Sequence, residues 1–177
     1  MENETVLGSE LVHTGRTIRL RIDSVRLSNG LEITRDVVEH PGAVAVVPLT
    51  ENGDVLLVRQ YRHAVGRVLL EIPAGTRRRG EDPLLCAGRE IREETGHRAG
   101  RIERLTGFYT APGFCEEYLE VYLARDLAPD PLAMDEDEEI EVERVPFATA
   151  LQLIGSGEIC DAKSIIGLLV ARQVLEA

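Results

Sequence analysis

Tryptophan is absent from this 177-residue chain, aromatic residues make up only 4%, and cysteine occurs three times. So few aromatics leave no evident side chain for stacking on a base. Cys86, Cys115 and Cys160 are odd in number and widely spaced. That argues against a disulfide framework and against a CxxC metal or redox pair, and leaves core packing as their expected role. No apolar run reaches the roughly 18 residues that span a bilayer, so no membrane partner is expected. The opening MENETVLGSE is acidic and lacks an apolar stretch. It is unlike a secretory signal, and a cytoplasmic location is the expectation.

Basic excess is lacking too: 20 Lys and Arg face 31 Asp and Glu, a net charge of −11. Such a chain repels the phosphate backbone, which excludes a general nucleic-acid binder but not a small phosphate ligand, because divalent cations reverse the field inside one acidic pocket. The four histidines, His13, His40, His63 and His97, fall in no HExxH spacing and have no partner serine or cysteine arrangement. Zinc proteases and triad hydrolases therefore lack support.

What is present reads as one folded unit over residues 1–177, with 44% hydrophobic and 29% charged residues. Short alternating or β-branched runs predict strands at Leu11–Leu27 with an interruption near Gly15, Leu31–Val38, Ala43–Leu49, Val55–Tyr61 and Val68–Ile72. Asn29-Gly30 and Asn52-Gly53 are turn signals between them. Asp82 as a cap, Pro83 in the first turn and Gly96 as a stop predict a helix. Leu84, Ala87, Gly88, Ile91 and Thr95 recur at helical offsets and predict its apolar face, with a charged face opposite. Strands are expected again at Arg101–Tyr109, Tyr118–Ala124 and Ile140–Val145, then helices at Phe147–Gly155 and Asp161–Leu175. Between Asp135 and Glu143 seven of nine residues are acidic. Such a run is commonly a solvated surface.

The predicted helix carries Glu90, Glu93 and Glu94 within two turns, after Arg89. Carboxylates three and four apart repel unless something positive compensates, and one arginine compensates only in part. Hard divalent cations such as Mg2+ take oxygen ligands and bridge to substrate phosphates, so this face suits them.

The spacing from Gly75 is Gly, five residues, Glu81, seven residues, Arg89-Glu90-Ile91, then Glu93-Glu94, one residue and Gly96. This resembles the box of the Nudix hydrolases over 23 residues, departing only at His97, where the pattern has an aliphatic residue. The resemblance implies an α/β fold, a Nudix-type α/β/α sandwich around a mixed sheet, with an additional N-terminal antiparallel β element. It further implies that Glu90, Glu94 and the backbone carbonyl of Ala74 ligate two or three Mg2+ ions, or Mn2+ in their place. Glu93 would pair with Arg89 and is a candidate base, alongside Glu136 and Glu138 of the acidic run. Glu81 would tie the loop to the helix, and Gly75 would permit a close backbone approach.

Two further stretches are similar to the ADP-ribose pyrophosphatase branch of that family. Phe108-Tyr109-Thr110-Ala111-Pro112-Gly113 places Pro112 sixteen residues beyond Gly96, and Val58–His63 is followed by Leu70-Glu71-Ile72-Pro73-Ala74-Gly75. With the N-terminal strands, the likeness covers about residues 10–160. It implies hydrolysis of ADP-ribose to AMP and ribose 5-phosphate, the alternatives being GDP-mannose, NADH, FAD or another nucleoside diphosphate sugar, or a non-catalytic nucleotide sensor. Residues 1–40 would form a homodimer and 41–177 the catalytic core. Guanidinium groups bind phosphate through paired hydrogen bonds. Arg62 and then Arg16 are the expected phosphate partners, with Pro112 and Gly113 near the sugar and Glu117 on a ribose hydroxyl or a metal-bound water. Arg77-Arg78-Arg79 is expected to be an exposed loop.

Overall fold

The period-two runs of the first half form strands, and the capped Glu-rich segment forms a helix. The computed structural model describes residues 4–133 and 139–177. They fall into two compact units, Met1–Gly42 with Phe108–Tyr118, and Ala43–Gly107 with Leu119–Ala177.

The first unit is an antiparallel meander of β1 (Thr5–Thr14), β2 (Arg19–Arg26) and β3 (Glu32–Glu39) in the order β1-β2-β3. The turn near Gly15 is closed by its N–H donating to the Ile18 carbonyl at 2.9 Å. β1 begins six residues before the expected Leu11, and all ten of its residues are exposed, Val6, Leu7, Leu11 and Val12 among them. The segment Phe108–Tyr118 was not foreseen as part of this element. It is tied to β3 by the Val38 N–H donating to the Phe114 carbonyl at 2.7 Å and the Glu116 N–H to the Val38 carbonyl at 2.9 Å.

The second unit contains β4 (Ala43–Pro48), β5 (Asp54–Arg62), β6 (Arg67–Glu71), β7 (Ala74–Thr76), α1 (Pro83–Thr95), all but the last two residues of β8 (His97–Tyr109), all but the first residue of β9 (Tyr118–Pro129), β10 (Ile140–Pro146), α2 (Phe147–Ser156) and α3 (Ala162–Leu175). One sheet has the order β7-β4-β9-β8 and is mixed: β4 runs antiparallel to β7 and parallel to β9. The other is antiparallel, in the order β10-β5-β6. Every residue of β4 is buried, as in a strand covered on both faces, where alternation is not needed. Val44 and Val46, with Tyr122 and Ala124 of β9, pack on Cys86, Ala87 and Ile91 of α1. Val47 and Val121, of opposite parity, meet α3 at Gly167. α1 and α3 thus cover opposite faces of the mixed sheet, which is the α/β/α arrangement expected.

α1 begins and ends as its sequence dictates. The Asp82 carboxylate accepts the N–H groups of Leu84 at 2.9 Å and Leu85 at 3.2 Å, and Gly96 closes the helix at a φ of 71°. Its buried face differs from expectation. Cys86, Ala87, Glu90, Ile91, Glu94 and Thr95 are buried, whereas Leu84 is exposed. The hydrophobic pattern is therefore displaced by two carboxylates that point inward. Core packing also holds for Cys86 alone, since Cys115 is half-buried and Cys160 exposed.

Candidate active site

Glu90 and Glu94 lie one turn apart on the inner side of α1, 6% and 4% exposed. Buried carboxylates need compensating charge or hydrogen bonds. Arg89 supplies the charge, with its guanidinium 3.0 Å from Glu81, 2.6 Å from Glu90 and 2.7 Å from Glu93. Burial works against the charged form of Arg89, but Glu81 first and then Glu90 outweigh it and raise its pKa. Arg89 in turn holds the Glu81 carboxyl down at about 2, helped by the Arg78 N–H. Beside them burial pushes the Cys86 thiol up to about 12, so it stays protonated.

The box loop meets the helix at β7. The Ala74 N–H donates to Glu94 Oε2 at 3.1 Å, and Ala74 pairs with Ala45 on β4. A Cβ on residue 75 would overlap the Glu90 carboxylate, so only glycine admits that side chain. Arg77 clamps the loop by donating to the Glu81 carbonyl at 2.7 Å, while Arg78 and Arg79 are exposed as expected.

This arrangement fits a hard divalent cation. Three carboxylates surround one guanidinium at Arg89, leaving negative charge in excess, and Glu90 and Glu94 are both inward. Among the described residues no three His, Cys, Asp or Glu side chains form a ready metal cluster. Glu90 and Glu94 are the two inward carboxylates that could hold such an ion, with water and substrate oxygens completing its shell.

Arg62, at the end of β5, grips Glu71 through Nε at 3.0 Å and Nη2 at 2.6 Å. Glu71 is 1% exposed, and Lys163 of α3 reaches the same carboxylate at 2.5 Å. Lys163 also lies 2.9 Å from Asp161, whose carboxylate caps α3 by accepting the Ser164 N–H at 3.1 Å. Burial pushes Glu71 up, but Arg62 and Lys163 outweigh it and leave the carboxyl below its ordinary range. Burial likewise disfavours charge on Arg62, and Glu71 more than offsets this; Glu94 is also close enough to raise it. Sequence reasoning assigned no role to Glu71 or Lys163. One signal was available: Lys163 is the sole lysine of the chain.

The remaining expected site residues belong to the first unit or lie outside the described residues. Arg16 is exposed in the bend between β1 and β2. Pro112 and Gly113 are exposed in the turn after β8. Glu117 accepts a hydrogen bond from Thr110 Oγ1 at 2.8 Å. Glu136 and Glu138 lie outside the described residues. His97, the one departure from the box, starts β8 and places its ring Nδ1 2.6 Å from the Thr95 carbonyl.

Comparison with known proteins adds four findings. The family model described as the NUDIX domain matches residues 39–165. An ADP-ribose pyrophosphatase of Bacillus subtilis (strain 168) is 39% identical over 98% of this chain and 96% of its own length. An ADP-ribose pyrophosphatase of Mycobacterium tuberculosis (strain ATCC 25618 / H37Rv) is 43% identical over 95% of this chain and 83% of its own. Among solved structures, an ADP compounds hydrolase superposes with a TM-score of 0.89 at 25% identity, covering 99% of this chain and 96% of that one.

Proposed function

The chain belongs to the NUDIX domain family, and from that premise we propose that it is a Mg2+-dependent hydrolase that cleaves the pyrophosphate of ADP-ribose to AMP and ribose 5-phosphate. The observation that carries the reading is the pair of inward carboxylates, Glu90 and Glu94, against the glycine at position 75, with more carboxylate than guanidinium around Arg89. The names of the two bacterial relatives support the choice of substrate.

In this reading Glu90, Glu94 and the Ala74 carbonyl would hold two or three divalent ions, Mn2+ being able to replace Mg2+. When bound, the ions neutralise the pyrophosphate and acidify the attacking water. The protein does the rest. Arg89 fixes the rotamer of Glu90 and keeps Glu93 beside it, and Glu93 receives the proton of the water at its carboxylate. Glu136 and Glu138 are the alternative acceptors. Arg62 presents its guanidinium to the phosphates, and Arg16 assists. Pro112, Gly113 and Glu117 contact the sugar end.

A cytoplasmic homodimer belongs to the same proposal. The apolar side chains exposed along β1 support the dimer, and three unpaired cysteines suit a reducing compartment.

The test is product release from ADP-ribose, GDP-mannose, NADH and ADP-glucose with Mg2+, with Glu94→Gln as control. Preferential release of AMP and ribose 5-phosphate from ADP-ribose, abolished in the variant, is the expected result. Preference for another substrate discards ADP-ribose but keeps the chemistry. Tight binding without turnover makes the protein a nucleotide sensor.

A further inference from the structure

The chain places 19 arginines among its 20 basic residues and uses lysine once, at position 163. That lysine is not a surface charge. Its side chain is 15% exposed, and it joins a string of four charged groups running from Asp161 through Lys163 and Glu71 to Arg62. A compact ammonium fits between two carboxylates where a planar guanidinium would need more room. The string begins at the capped start of α3 and ends beside Glu94.

The geometry decides what each member does. Glu71 takes the Nε and Nη2 edge of Arg62. If Glu71 faced Arg62 alone, one carboxylate would cancel one guanidinium. Because Lys163 shares Glu71, the guanidinium is steered by the carboxylate without being wholly neutralised by it. With Lys163 removed, two carboxylates, Glu71 and Asp161, would remain with one cation. Next to Lys163, Ser164 Oγ accepts the Ile72 N–H at 2.8 Å, so the same turn of α3 also fixes the chain two residues before Ala74.

We propose that Lys163 is a positioning residue for substrate binding, which shares the Glu71 carboxylate with Arg62 and so keeps the guanidinium aimed at, and electropositive toward, the pyrophosphate of the nucleotide sugar. This rests on the reading of Arg62 as a phosphate ligand. Lys163 does not touch the reacting atoms.

The experiment is titration calorimetry of ADP-ribose in EDTA, where binding is read without turnover, on wild type, Lys163→Met, Lys163→Gln, Arg62→Gln and Arg62→Gln/Lys163→Met. The Gln variant retains a hydrogen-bonding group for Glu71 should the Met variant fail to fold. Each Lys163 variant is expected to raise Kd about tenfold, because Arg62 is then held and neutralised by Glu71 alone. In the Arg62→Gln background the Met substitution is expected to change Kd less than about twofold, because the lysine acts through the arginine. A purely structural lysine would lower stability alike in both backgrounds without that coupling. Wild-type affinity in both single Lys163 variants, or a full tenfold loss added on top of Arg62→Gln, overturns the inference. A wild type that releases no AMP from ADP-ribose with Mg2+ defeats the substrate reading instead. Turnover by wild type with unchanged Kd in the Lys163 variants defeats this inference alone.

Discussion

The carboxylate of Glu90 occupies the space that a side chain at Gly75 would need. Loop and helix are thereby interlocked: the residue that opens the box is defined by the residue on the helix that it must admit. Gly75→Ala would push Glu90 off its inward rotamer while β7 keeps its pairing with β4. Displacements of about 1 Å at a catalytic constellation can cost 100-fold. Turnover of ADP-ribose by Gly75→Ala is expected to fall at least about 100-fold with a folded circular dichroism spectrum. Turnover within a few-fold of wild type would mean that Glu90 does not need this position.

Metal addition should stabilise the fold through the same carboxylates. A ligand bound only by the native state at 100 times its Kd contributes about 2.7 kcal/mol. For a chain of this size that raises Tm by about 5–10 °C. Thermal melts with and without saturating Mg2+ should show such a rise in wild type and little or none in Glu90→Gln.

Glu81 makes stability depend on acid. Its folded pKa, held down at about 2 chiefly by Arg89, lies below the ordinary value of 4.5. A depressed carboxyl contributes stability that is present above pH 4.5 and is lost as pH falls toward 2. In urea titrations, Glu81→Gln is expected to cost about 1.5–3 kcal/mol at pH 7, as a hydrogen bond to a charged group does. The gap between variant and wild type should close between pH 4.5 and pH 2. A gap that stays constant over that interval would refute the assignment.

The α3 face of the sheet is tightly packed at Gly167. A Cβ at Gly167 would lie 2.8 Å from Ile72 Cδ1 and 3.3 Å from both Val121 and Val47. Gly167→Ala should therefore destabilise by about 1–3 kcal/mol, the usual range for overpacking. Adding Ile72→Val, which removes the obstructing methyl, should recover part of that loss. Simple addition of the two single costs, measured by denaturation, would show that the contact is relieved elsewhere.

Much of the site was legible because its signal is local. Asp82, Pro83 and Gly96 mark α1 by capping chemistry alone, and the glutamates lie on it at fixed spacing. What escaped is of two kinds. β7 is three residues long, too short to display a period, although it carries Ala74 and Gly75. The inward face of α1 differs from expectation because hydrophobic periodicity has no means of placing Glu90 and Glu94 inside and Leu84 outside; compensation by groups such as Arg89 and the Ala74 N–H permits it. Contacts distant in sequence were invisible for a plainer reason. Nothing near Glu71 in the chain announces Lys163, and the segment Phe108–Tyr118 reveals its attachment to β3 only through backbone hydrogen bonds.

The parallel pairing of β4 with β9, Ala43 opposite Leu119 and Pro48 opposite Ala124, bears on how the chain acquires its fold. β4 emerges early in synthesis, but its parallel neighbour is made only after β5, β6, β7, α1 and β8 have been completed. Until then an entirely apolar strand has one short partner, β7, and an open edge. Closing so long an intervening loop carries an entropic cost that is repaid only when the sheet forms, and such non-local pairing is slow. The element that anchors the catalytic loop from below is therefore the one most exposed to aggregation while the nascent chain waits for β9.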